Sequence, residues 1–230
     1  MPVNPSQINT FRTNALGLRL FLDTADVDQW ATWLPTGLFY GITTNPLLLQ
    51  RAKVACSIEQ LKELVDRALA HGVREIHLQT WGDAMAQTGQ ALAKLSDRVV
   101  VKVPLTLSGV EAAAKLSRDV PVTLTAAYYA HQALMGAALN AAYVAPYLGR
   151  LTDAGQDGRA VIAAMQRSLT ALSSETRLLV ASIRQVADLT TLTQQGLNTF
   201  TISPAIAQAL FSVPLTEKAA ADFEAAAQSS

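Results

Sequence analysis

The sequence predicts an α/β fold, a single (β/α)8 barrel, and three observations carry that reading. Short β-type runs alternate with longer Ala- and Leu-rich helical runs, and the alternation repeats eight times between Arg19 and the C-terminus. Strands alternating with helices imply a parallel sheet with helices packed outside it. No glycine-rich fingerprint follows the first strand, where an open dinucleotide-binding sheet would carry one. The 230 residues suit one large domain, and a barrel uses that length as a single unit. Residues 1–18 read as an irregular arm, and residues 19–230 as the barrel with a closing C-terminal helix.

Taken in order, Arg19–Asp23 (RLFLD) is the first strand, and Asp26 caps a helix to about Leu34. Tyr40–Thr44 is the second strand, ended by an Asn45–Pro46 break. Ile58, Leu61, Leu64, Val65 and Leu69 then recur at helical spacing. Arg74–Gln79 is the third strand, with a helix from Asp83 to Leu95. Val99–Val103 is the fourth, with a helix over Ser108–Arg118. Val122–Thr125 is the fifth, with an alanine-rich helix to Asn140. A short sixth strand, Tyr143–Ala145, leads through a Gly/Asp-rich loop (Gly149–Gly158) to a helix over Arg159–Leu172. Leu178–Ala181 and Thr199–Ile202 are strands seven and eight, with a helix over Gln185–Gln194 between them. Helices over Ala205–Phe211 and Thr216–Ala227 close the chain.

Half of the residues are hydrophobic and 16% are charged, a composition that builds a core. Lys+Arg and Asp+Glu are each 18, so no basic excess points to nucleic acid and any anion site must be local. The lone Cys56 matches no disulfide or zinc pattern, and His71, His77 and His131 lie far apart. The expectation is no metal, no cofactor, and a reducing, cytoplasmic setting. No apolar run is long enough for a transmembrane helix, and residues 1–18 lack the shape of a signal peptide.

Barrel enzymes build their sites at the C-terminal ends of the strands. Here those ends are polar: Asp23, Thr43, Asn45, Gln79, Lys102, Thr125, Tyr147, Ser182 and Ser203. Lys102 is the sharpest signal, because it sits among four valines in VVVKVP. Desolvation lowers the pKa of such an amine, and a neutral amine can attack a carbonyl to form an imine. The alternative is a lysine that snorkels out of the strand end or pairs with Asp23. Asp23 is either a turn residue or a carboxylate that moves protons beside the imine. Tyr147 is either a packing residue or a phenol that positions water, with Gln79 and Thr125 as partners. Arg150, Ser182 and Arg184 form a candidate phosphate site, or a solvated surface group.

The motifs LFLDTAD, GITTNP, VVVKVPLT, VTLTAAY, YVAPYLGR and LLVASIR stand in the order and spacing of the transaldolase family. The chain resembles most the small fructose-6-phosphate aldolase and short transaldolase group, from about Leu20 onward. The resemblance implies a Schiff-base lysine at Lys102, the strand-one aspartate at Asp23, and sugar-hydroxyl contacts at Thr43 and Asn45. It also implies a water-holding pair at Gln79 and Thr125, and phosphate binding by Arg150 and Ser182 with Arg184 beside them. Transaldolases are similar to one another in carrying Glu and Phe at the positions of Gln79 and Tyr147, whereas fructose-6-phosphate aldolases resemble this chain in having Gln and Tyr there. Leu47, Leu124 and Trp81 depart from the pattern at positions expected to shape the substrate site.

The leading expectation is therefore a class I aldolase of carbohydrate metabolism that cleaves fructose 6-phosphate to dihydroxyacetone and glyceraldehyde 3-phosphate. The alternative is a transaldolase of the pentose phosphate type. A catalytically silent barrel that serves as a binding protein is a third reading. Sugar phosphates are the expected partners, with no nucleic acid and no membrane. The resemblance also implies a homo-oligomer, a decamer in its relatives, with the closing helix around Phe223 reaching a neighbour.

Overall fold

The structure is a computed structural model, and it describes residues 17–229. The predicted arm therefore lies outside the described residues up to residue 16. The barrel strands are β1 (Arg19–Asp23), β2 (Gly41–Thr43), β3 (Glu75–Gln79), β4 (Val99–Pro104), β5 (Val122–Ala127), β6 (Tyr143–Pro146), β7 (Arg177–Leu178) and β8 (Thr199–Ile202). All pair in parallel, in the order β7-β6-β5-β4-β3-β2-β1-β8. The ring closes through Val180, whose N–H donates to Thr199 O at 3.0 Å while its carbonyl accepts from Thr201 N at 2.9 Å. The helices are α1 (Val27–Trp33), α2 (Pro46–Arg51), α3 (Ile58–Ala70), α4 (Met85–Ala93), α5 (Leu107–Leu116), α6 (Gln132–Ala138), α7 (Leu148–Asp153), α8 (Gly158–Ala171), α9 (Val186–Thr193), α10 (Pro204–Ala209) and α11 (Pro214–Gln228). Among the described residues no helix is long and apolar enough to cross a membrane.

Three segments differ from the sequence reading. The Asn45–Pro46 break is the start of α2. Asn45 caps it by accepting from Leu47 N and Leu48 N, and Pro46 takes the first-turn position where its missing N–H costs nothing. The Gly/Asp-rich loop begins with α7, because Leu148 and Leu151 are buried and anchor the segment. Gly149 is there for close approach. A Cβ on it would lie 2.6 Å from both Ser182 O and Arg184 Nε. Strand seven is interrupted, since Ala181 bridges to Tyr147 while Val180 bridges to Phe200. One short segment serves two neighbours and so leaves a regular ladder with neither.

The period of two along each strand sorts the cores. Leu20, Leu22, Ile42, Ile76, Leu78, Val99, Val101, Val103, Val122 and Leu124 face outward and pack against the helices. Leu124, expected to shape the substrate site, belongs to this outer core. The inner cluster is small: Phe21, Val100, Tyr143, Ala145 and Leu179.

The rest of the lower interior is polar, although barrel interiors are usually filled by bulky branched residues. Glu75 accepts from Arg19 at 3.0 Å, from Tyr143 Oη at 2.7 Å and from Tyr40 Oη at 3.3 Å. His77 bridges Glu75 at 3.1 Å and Thr123 at 3.0 Å, wedged between the rings of Phe21 and Tyr143. Gly41 makes room beside this group, since a Cβ there would lie 2.2 Å from Glu75 O. Burial pushes the His77 pKa down against the opposing pull of Glu75. Burial pushes Glu75 up, but hydrogen bonds from His77 and Tyr143 and the charge of Arg19 win and hold it low.

Both shifts are downward, so both groups contribute stability that is present above their ordinary values of 6.5 and 4.5. That stability is lost as pH falls through the lower folded values. Urea midpoints of the wild type should therefore fall between about pH 7.5 and pH 5. His77→Gln should show a shallower fall over the same interval. Parallel pH profiles for the two proteins would show that His77 does not carry the dependence.

Candidate functional site

The polar strand ends converge at the other end of the barrel. Lys102 faces inward from β4 in register with Gln79 on β3 and Thr123 on β5. Its side chain is only 5% exposed, and Nζ donates to Thr44 O at 2.7 Å. That carbonyl is held in place because Thr44 N and Thr44 Oγ1 both donate to His77 O at 3.0 Å. Burial pushes the Lys102 amine below its usual range, and the nearby Asp23 carboxylate only partly opposes this.

Asp23 ends β1 and accepts from Thr43 Oγ1 at 2.6 Å. Thr43 Oγ1 also lies 2.5 Å from Thr201 Oγ1. The Thr43 proton is given to the carboxylate, so Thr201 must donate to Thr43. The chain of hydroxyls fixes one carboxylate oxygen and leaves the other for a ligand. Asn45 Oδ1 is committed to capping α2, so its amide NH2 is what remains to donate.

Tyr147 stands at the start of α7, with its hydroxyl 2.5 Å from Thr125 Oγ1. The chain bulges between Thr125 and Ala127, with Ala126 at φ 65°, and this re-aims the end of β5. Burial raises the Tyr147 pKa, outweighing the Thr125 hydrogen bond and the Arg150 charge, so the phenol is neutral and able to donate. The Arg150 guanidinium lies 4.7 Å from the centre of the Tyr147 ring.

A cavity of about 140 Å³ joins these groups. It is lined by Asp23, Asn45, Lys102, Tyr147, Arg150 and Ser182, with Leu47, Leu48 and Arg51 on one wall and Ala145, Leu179, Ala181 and Thr201 filling the rest. The size suits a small polar molecule more than a drug-sized one. Thr43, Gln79 and Thr125 are not in the lining: Thr43 bonds Asp23, Thr125 bonds Tyr147, and Gln79 pairs in register with Lys102. Of the three departures noted in the sequence, Leu47 lines the cavity, while Trp81 packs against the outer core with Leu124. Arg184 is turned away: its guanidinium pairs with both carboxylate oxygens of Asp153, one at 2.6 Å. It lines a neighbouring cavity instead. A larger groove of about 890 Å³ opens at the barrel's opposite end, lined by Arg19, Glu75 and Arg177. It holds none of the strand-end residues.

The sequence reading missed Thr44, Thr201 and Arg51. Thr44 acts through its main chain, which no side-chain pattern reveals. Arg51 follows Leu47 by four residues and Leu48 by three, so a helix over 46–51 puts all three on one face. Reading that segment as a break hid the signal.

A buried amine with one carbonyl partner is a cost to the fold. Lys102→Met should raise the urea midpoint near neutral pH by an amount worth about 0.5–2 kcal/mol. The depressed folded pKa means that this cost is relieved as pH rises through it toward the ordinary 10.5. The gap between the two proteins should therefore narrow on raising the pH. A destabilised Lys102→Met protein would instead give the lysine a structural role.

A family model described as Transaldolase/Fructose-6-phosphate aldolase matches residues 20–230. A probable transaldolase from Hyphomonas neptunium is 35% identical over 214 residues, covering 92% of this chain and 97% of its own. One from Methanococcus maripaludis is 34% identical over 215 residues, covering 90% and 98%. Among solved structures, a mandelate oxidase mutant superposes with a TM-score of 0.56 at 15% identity, covering 84% of this chain and 67% of that one. Flavocytochrome b2 gives 0.56 at 12% identity, covering 82% and 57%. These two share the fold alone. The match over nearly the whole barrel, with relatives of equal length, makes this chain a member of the transaldolase/fructose-6-phosphate aldolase family, an enzyme of the transaldolase type.

Proposed function

We propose that this enzyme is a class I aldolase that cleaves fructose 6-phosphate reversibly to dihydroxyacetone and glyceraldehyde 3-phosphate. The observation that carries the reading is the buried, pKa-lowered Lys102 amine beside Asp23, Tyr147 and Arg150 in one cavity. The Lys102 amine adds to the C2 carbonyl and water leaves, giving a protonated imine. Asp23 takes the C4 hydroxyl proton as the C3–C4 bond breaks. The bonding electrons pass into the imine as an enamine, and glyceraldehyde 3-phosphate departs. The enamine takes a proton at C3, and water held by Tyr147 with Thr125 and Gln79 hydrolyses the imine to free dihydroxyacetone and the amine. Thr43 and Asn45 bind sugar hydroxyls, and Arg150 and Ser182 bind the phosphate.

The second reading is a transaldolase, in which the enamine waits for an acceptor aldehyde such as erythrose 4-phosphate. The names of the relatives favour it. The neutral Tyr147 phenol, hydrogen-bonded to Thr125, favours the aldolase, because it can support hydrolysis without an acceptor. The apolar residues left exposed on α11, Leu215 at 81% and Phe223 at 73%, further support a homo-oligomer, a decamer in this reading.

Release of glyceraldehyde 3-phosphate from fructose 6-phosphate should proceed without any acceptor. Borohydride should add the mass of the reduced dihydroxyacetone adduct at Lys102, and Lys102→Met should neither trap nor turn over. Tyr147→Phe should slow acceptor-free cleavage by about 10²-fold while sparing transfer. Turnover only when erythrose 4-phosphate is added would replace the aldolase with the transaldolase.

A further inference from the structure

We infer that Arg51 and Arg150 form a two-guanidinium clamp for a single phosphate dianion, gripping it from opposite walls of the Lys102 cavity. The inference rests on the reading that this cavity takes a sugar phosphate, and it replaces Arg184 with Arg51 as the second cationic contact.

Placement is the first argument. Arg51 ends α2, which follows β2, and Arg150 lies in α7, which follows β6. In the closed ring three strands separate β2 from β6 in either direction, so the two arginines come from diametrically opposite sides of the mouth. Both nevertheless line the same cavity of about 140 Å³. Lys102 enters from β4, midway round the ring.

Availability is the second. The other arginines near this rim are engaged: Arg184 with Asp153, and Arg159 with Asp188 at 2.6 Å. Among the described residues neither Arg51 nor Arg150 pairs with a carboxylate. Arg150 only lies over the Tyr147 ring, which leaves its N–H groups at the ring's edge open. An arginine offers five donors in a planar fork, suited to two phosphate oxygens at once.

Charge is the third. The ionisable groups lining the cavity are Asp23, Arg51, Lys102, Tyr147 and Arg150. Even with Lys102 left out of the count, two guanidiniums face one carboxylate. The chain as a whole is balanced at 18 and 18, so this excess is local. That local excess favours an anionic ligand over a neutral one.

The clamp makes Arg51 a determinant of preference for phosphorylated over neutral aldehydes. Inorganic phosphate titrated into the wild-type enzyme and into R51Q, by calorimetry, tests the binding directly. Phosphate should bind the wild type, and R51Q should weaken that binding about tenfold. R51K should fall between, because it keeps the charge and loses the fork. In dihydroxyacetone addition, R51Q should lower the kcat/KM ratio of glyceraldehyde 3-phosphate to glyceraldehyde about tenfold. Equal phosphate affinity in wild type and R51Q, or an unmoved ratio, overturns the clamp. Borohydride trapping of dihydroxyacetone on the wild type separates the two readings. A Lys102 adduct with an unmoved ratio removes the clamp alone. Weakened phosphate binding without an adduct removes the aldolase and keeps the clamp.

Discussion

The environment of the Lys102 amine is the constraint on which the rest of the site depends. Val99, Val101 and Val103 bury the outer face of β4 in the main core, and this fixes Lys102 inward. The amine then meets the Thr44 carbonyl, aimed at it because the Thr44 amide and hydroxyl are both spent on the backbone of His77. Strands β2, β3 and β4 thus cooperate to place one nitrogen. Desolvation outweighs the attraction of Asp23, so the amine is held toward its neutral form. Nucleophilic chemistry at neutral pH needs that balance, since an ammonium has no lone pair to offer.

The barrel interior holds two polar layers with different fates. In the lower one, Arg19, Glu75, Tyr143, His77 and Thr123 are hydrogen-bonded to one another in a connected network. In the upper one, groups remain unspent: the Asn45 amide NH2, the second oxygen of Asp23, and the guanidinium forks of Arg51 and Arg150. Polar burial alone does not mark a functional site in this protein. The distinction is whether the hydrogen-bonding capacity is already used. The lower layer serves the upper one mechanically, because His77, locked by Glu75 and Thr123, supplies the carbonyl that steers Thr44.

The barrel was legible in the sequence because its strands alternate cleanly and bury one face in a large outer core. Leu20 and Leu22, or Val99, Val101 and Val103, report strands whatever surrounds them. Residues at the strand ends were legible for a related reason. A lysine among valines contradicts its surroundings, and Asp23, Thr43 and Tyr147 stand where strands must stop. Contacts that depend on three-dimensional closure were hidden. The Arg184–Asp153 pair joins the end of α7 to the segment after strand seven, and His77, set aside as an isolated histidine, sits at the centre of a network assembled from four strands. Short helices were hidden as well. Asn45–Pro46 and Gly149 read as breakers, yet one caps a helix and the other lets a helix approach Ser182, and the first of these errors concealed Arg51.

The ionisation of Lys102 in the free enzyme is the most direct measure of this account. Trace acetic anhydride reacts only with neutral amines, so the labelling rate of the Lys102 peptide can be followed by mass spectrometry from about pH 6 to pH 11. The rate should reach its plateau well below the ordinary lysine value of 10.5, and ahead of exposed lysines such as Lys62 and Lys218 in the same sample. A Lys102 profile that coincides with theirs would mean a fully hydrated ammonium, and would contradict the mechanism built on it.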